Sequence, residues 1–163
     1  TLWHTLSLHD ALPISPQSFS RQQPHAWPGT PICLYASQLA DLEMLETLAS
    51  GLSRTVYRVD DAQREVLHLA AVFVNNFTNH CLAVGHQLCR DSGLDFSILH
   101  PIMRQTVEKA VAHPPAEVQT GPARRGDQHT MLRHLQWLLE HHPEWMELYK
   151  MLSHSISIMD KHQ

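Results

Sequence analysis

The sequence predicts a mainly α fold: a C-terminal helical domain preceded by one β-α-β unit, the remnant of a larger α/β sheet. Two short apolar runs, "PICLYA" (31–36) and "TVYRV" (55–59), flank a leucine-rich helical stretch, and no strand signal follows Val59. Helix starts and stops then recur to the end of the chain. Length sets the ceiling, because 163 residues with 43% hydrophobic content support one good core and no more.

Residues 1–15, "TLWHTLSLHDALPIS", show no clear amphipathic period, and "SLHDALPI" resembles a sequencing-library adapter translated in one frame. This segment is expected to be an artefactual or disordered leader that packs poorly. Residues 16–60 are read as the sheet remnant. The stretch 16–29 is polar and proline-bearing, a loop, and 31–36 is the continuous apolar run of a buried strand. Ser37 can cap a helix with Leu39, Leu42, Leu45, Leu48 and Leu52 on one stripe. After Gly51, residues 55–59 alternate as a second strand. Two parallel strands alone bury too little surface, so the unit reads as the trailing edge of a sheet whose earlier strands are absent.

Residues 61–163 form the helical domain. Asp60 or Asp61 caps a run of about thirty residues that ends at Ser92-Gly93. Pro101 opens a helix through His113, and "PPAEVQTGPARRGD" (114–127) is mostly turn material. Asp127 caps "QHTMLRHLQWLLEHH", and Pro143 starts the last helix. The cluster of Trp137, Leu138, Trp145, Leu148 and Met151 is expected to be core or subunit contact.

Charge and composition exclude several classes. A formal net charge of -4 with 17% charged residues gives no long-range pull on nucleic acid or an anionic membrane. No run approaches the ~20 apolar residues of a membrane span, and no signal peptide is evident, so a soluble, cytoplasmic protein is expected. Cys81 and Cys89 are about 12 Å apart along one helix, beyond disulfide reach, and Cys33 is distant in sequence. Reduced, buried thiols follow. The 14 histidines raise the question of a metal. Yet HExxH is absent, His86-x-x-Cys89 has no second pair, and His141 and His142 diverge by about 100°, so none is expected. The sequon at Asn76-Phe77-Thr78 and the tripeptide Arg125-Gly126-Asp127 read as chance matches.

Two stretches carry chemistry. In "HLAAVFVNNFTNH" (68–80) and its flanks, Arg64, His68, Asn75, Asn79 and His86 fall within about 60° on a helical wheel. Leu67, Ala70, Phe73, Val74, Phe77, Cys81 and Leu88 lie opposite. Amides on a core helix cost a few kcal/mol unless they find partners, so the row serves either a ligand or interhelical hydrogen bonding in a core or dimer interface. In "TGPARRGD", the Thr120 hydroxyl, the turn amides around Gly121, and the guanidinium groups of Arg124 and Arg125 suit a carboxylate or phosphate, with Arg125 favoured. The other reading is a turn that ends in the Asp127 cap and leaves both arginines in water.

"QREVLHLAAVFVNNFTNH" with "TGPARRGD" resembles a bacterial Rossmann-like oxidoreductase family that carries a C-terminal domain of unknown function, related to pyrroline-carboxylate reductase and deazaflavin-dependent NADP reductase. "PQSFS" followed by "PICLYA" is similar to that family's late Rossmann region, so the likeness covers about residues 16–163. The resemblance implies a 6-phosphogluconate-dehydrogenase C-terminal-like helical domain that closes on a small-molecule substrate, anions included, and forms a homodimer. It implies NAD(P) in the intact parent protein. It further implies His68 as proton donor to a carbonyl or imine, standing where related dehydrogenases have a lysine, with Asn75 and Asn79 holding the reacting group and Arg64, Thr120, Gly121, Arg125 and Asp127 contacting substrate. No G-x-G-x-x-G occurs in the chain, so this fragment is expected to hold no cofactor and to be inactive alone. A noncatalytic dimerisation or partner-binding module is the alternative.

Overall fold

Parallel strands cannot be joined by a tight turn, and here a helix makes the crossover. The computed structural model describes residues 11–15 and 27–159, which divide into two units between Cys81 and Leu82. The first unit holds a three-stranded sheet in the order β1 (Ala11–Ile14), β2 (Ile32–Ala36), β3 (Val56–Arg58). β2 and β3 are parallel, with Ile32 opposite Val56 and Leu34 opposite Arg58, and α1 (Leu39–Leu52) links them.

The core of this unit is small. Leu34 is fully enclosed, Ile32 and Ala49 are buried beside it, and Leu42, Leu45 and Val56 pack around them. The predicted leucine stripe is therefore only partly correct: Leu39, Leu48 and Leu52 stand exposed, because so narrow a sheet covers only the face made by Leu42, Leu45 and Ala49. Buried Ser53 joins the two strand entries, donating its hydroxyl to the Thr30 carbonyl (2.6 Å) and accepting from the Thr55 amide (3.0 Å).

Ala11–Ile14, within the stretch expected to be a leader, form β1. These residues pair antiparallel with β2, Ala11 opposite Ala36 and Ile14 opposite Cys33. An open strand edge presents a row of backbone donors and acceptors that an extended segment can match whatever its side-chain pattern. Residues 1–10 and 16–26 lie outside the described residues.

The long helix begins where predicted. Asp60 accepts from the Gln63 amide (2.7 Å) and Gln63 Oε1 accepts from the Asp60 amide (2.9 Å), a complete capping box. It is not one α-helix, however. α2 (Asp61–Ala71) passes through a π-helical turn, Val72–Phe77, into α3 (Thr78–Asp91). Val72, Val74 and the two asparagines are weak helix formers, and the Thr78 hydroxyl donates to the Phe73 carbonyl (3.3 Å). Gly93, at φ 69°, ends α3 as expected, with the Leu94 amide reaching back to the Cys89 carbonyl (2.8 Å).

In the second unit, Asp95 caps a short 3-10 turn, Phe96–Leu99, through the Ser97 amide (2.8 Å), and α4 (His100–Ala112) carries Pro101 in its first turn. The segment 114–127 is not all turn. Between Gly121 (φ 106°) and Gly126 (φ 67°) lies α5 (Pro122–Arg125), whose buried Ala123 sits where α5 packs on α6 (Gln128–His141) and α7 (Met146–Met159). Leu138 is buried in α6, and His142 at its end is buried with Nδ1 3.3 Å from Glu144 and Nε2 3.6 Å from Asp91. Of the expected aromatic cluster, Trp137 and Met151 are exposed. Cys33 is buried, Cys89 half-buried and Cys81 exposed, so the expectation of buried thiols fails at Cys81. Among the described residues no helix is long and apolar enough to cross a membrane.

Two stability predictions follow from this packing. Leu34→Ala should lower unfolding free energy by about 2–5 kcal/mol in urea titration, while Leu48→Ala at its exposed site should stay within about 0.5 kcal/mol; equal losses would contradict the core assignment. The Thr130 amide, then its hydroxyl, hold the Asp127 carboxyl below the usual carboxylate range. A depressed folded value means that the cap's contribution is present above an ordinary aspartate pKa of about 3.9 and is lost as pH falls through the lower folded value. Asp127→Asn should therefore flatten part of the acid limb of a melting-temperature profile, and an unchanged limb would count against the cap.

Candidate functional site

In open α/β sheets ligands sit beyond the carboxyl ends of the parallel strands. At that edge of β2 and β3 the first unit has a cleft of about 260 Å³, walled by Tyr35, Ala36, Arg58, Val59, Asp60 and Gln63. Arg58, the last residue of β3, is held from α1: its Nε donates to Glu46 Oε1 at 3.3 Å and its Nη2 donates to Glu46 Oε2. That hydrogen bonding keeps the Glu46 carboxyl below the ordinary range and raises Arg58 further.

α2 starts in the cleft wall, so the polar row leaves from the same edge. Arg64 is half-buried and pairs with Asp61, Nη2 to Oδ1 2.9 Å. His68, one turn on, is exposed, as are Asn75 and Asn79. Asn75 Nδ2 donates to Asn76 Oδ1 (3.1 Å). The π turn corrects the wheel on which the row was drawn: it adds about one residue per turn, so side chains beyond it rotate by about 100°. The ribbon jogs at Asn75-Asn76 instead of running straight. His86 leaves it altogether and packs edge-on against Phe96, centroids 5.1 Å apart. The greasy face is not core either, since Phe73, Val74 and Phe77 are exposed, the two rings T-stacked at 5.0 Å. With Asn75 and Asn79 in solvent, the cost of burying amides does not govern this row.

In the second unit Thr120 and Arg125 are exposed, and Gly121 is half-buried with its carbonyl taking the Arg125 amide (3.3 Å). Asp127 is committed to capping α6 through the Thr130 amide (3.0 Å). Arg64, His68, Asn75 and Asn79 thus belong to the first unit, and Thr120, Gly121, Arg125 and Asp127 to the second. Sequence reasoning missed the cleft residues Arg58 and Gln63; the available signal was their place at the end of the second parallel strand and in the first turn after it.

The turn between β2 and α1, where a strand hands over to a helix, is Ser37-Gln38, with Gln38 extended and making no side-chain cap. It has no glycine to let a pyrophosphate approach the backbone, so the residues present do not fit a dinucleotide's phosphates. Among the described residues no three His, Cys, Asp or Glu side chains gather as a metal site requires.

BF3122 of Bacteroides fragilis, a solved protein named as a "putative NADP oxidoreductase", is 39% identical over a match covering 89% of this chain and 55% of its own, with a TM-score of 0.80. TM1727 of Thermotoga maritima shares the fold at 17% identity and a TM-score of 0.74, over 93% of this chain and 62% of its own. The chain spans between 55% and 62% of these solved relatives. No curated protein matches it. The family model described as "Domain of unknown function (DUF2520)" matches residues 30–156, and on that match the chain belongs to the DUF2520 family.

Proposed function

We propose that this chain is the substrate-closing and dimer-forming part of an NADP-dependent oxidoreductase acting on a small molecule. One observation carries the reading: the cleft at the carboxyl ends of β2 and β3 adjoins the start of a helix whose following turns display Arg64, His68 and the amides of a π turn. π turns occur often at functional sites. The name of the Bacteroides relative favours NADP over NAD.

In the reduction of a carbonyl or imine, His68 hands a proton to the oxygen or nitrogen that becomes O–H or N–H. Asn75 and Asn79 hold the substrate by hydrogen bonds. The exposed apolar face of Val66, Leu69, Phe73 and Phe77 suits contact with a second copy. The same face would also suit a noncatalytic partner-binding module, but such a module leaves the amides at the π turn without a role.

The test uses these residues within a protein of its relatives' full length. His68→Ala should lower turnover by roughly 10²- to 10⁴-fold with NADP affinity nearly constant. Asn79→Ala should raise KM or lower kcat at an unchanged melting temperature. Stable variants with full activity would overturn the assignment. Light scattering of the same protein at micromolar concentration should report a dimer, and a strictly monomeric mass would contradict the dimer-forming role.

A further inference from the structure

We propose that Arg58 anchors the anionic end of a small-molecule ligand, a carboxylate or a phosphate, in the cleft at the carboxyl ends of β2 and β3. This rests on reading that cleft as the substrate side of the site. A guanidinium carries five N–H donors in a planar fork. Two of them, on Nε and Nη2, go to Glu46, which leaves three donors, including the end-on pair of Nη1 and Nη2 that suits a two-oxygen acceptor. The Arg58 side chain is 52% exposed and lines the cleft, so those donors are within reach of a ligand there.

Size argues for the end of a molecule. At about 260 Å³ the cleft is smaller than the ~300–1,000 Å³ of pockets that enclose a whole ligand. Its other walls, Tyr35, Ala36 and Val59, are largely apolar, and the Asp60 and Gln63 side chains are occupied with each other's backbone amides. Arg58 is the cation of this wall. Glu46 has two effects: it fixes the guanidinium in place, and its carboxylate competes with the incoming anion for the same charge.

The experiment follows the Arg58 Nε–H and Gln63 amide signals of the 163-residue chain by nitrogen-15 NMR, titrating with oxalate or inorganic phosphate against chloride at matched ionic strength. Saturable shifts at both residues are expected. A response to oxalate alone assigns a carboxylate ligand, and a response to phosphate alone assigns a phosphate; either supports the anchor. Arg58→Gln should weaken binding at least about tenfold, and Glu46→Gln should tighten it several-fold. Should Arg58→Gln fail to fold, Arg58→Lys keeps the charge without the fork and should still weaken binding clearly. Equal shifts with chloride, or binding undiminished in the Arg58 variants, would overturn the proposal, and binding lost with Glu46→Gln would overturn the competing role of Glu46. If anions pass Arg58 by while His68→Ala still slows turnover in the longer protein, the anchor falls and the oxidoreductase reading stands. Anion binding at Arg58 with an inert His68 would give the opposite result.

Discussion

The first unit depends on one backbone constraint: two parallel strands need a crossover between them, and the crossover puts both carboxyl ends on the same edge. α1 provides it and encloses Leu34 in doing so. The Val59 amide closes onto the Leu34 carbonyl (2.9 Å), so the chain leaves β3 still pinned to β2. The capping box of Asp60 and Gln63 then starts the next helix at once. Cleft and guanidinium share an edge for this reason, and the helix that carries the polar row starts there with no loop in between.

The π turn is a second, local constraint. The stretch from Val72 to Phe77 is poorly suited to a regular α-helix, and it widens into a π turn in which the Thr78 hydroxyl serves the Phe73 carbonyl. Its consequence is positional. Asn75 and Asn76 sit where the helix changes phase, and Asn79 is turned away from the line set by Arg64 and His68.

Punctuation residues made most of the fold legible: Asp60, Gly93, Pro101, Asp127 and Pro143 each start or stop an element where the sequence placed it. What stayed hidden has physical causes. Periodicity over so short a window does not separate a π turn from an α turn, so the wheel joined residues that the helix sets apart. It also reports which side chains share a face, not what covers that face, and Phe73, Val74 and Phe77 are uncovered. β1 is held by backbone pairing, which leaves no side-chain pattern to read. α5 is too short to show a period. Arg58 gains its setting from Glu46 across the crossover, a contact invisible along the chain.

The proposed substrate role of the polar row belongs to Arg64 and His68 on α2, Asn75 in the π turn and Asn79 on α3. Crystals of a protein of the relatives' full length, carrying these residues and grown with NADP and a substrate analogue, test it most directly. The proposed role requires His68 and at least one of Asn75 and Asn79 within about 2.6–3.2 Å, or one water, of the analogue's reacting group. An analogue bound elsewhere, with the row facing bulk solvent or a second copy of the chain, would contradict it.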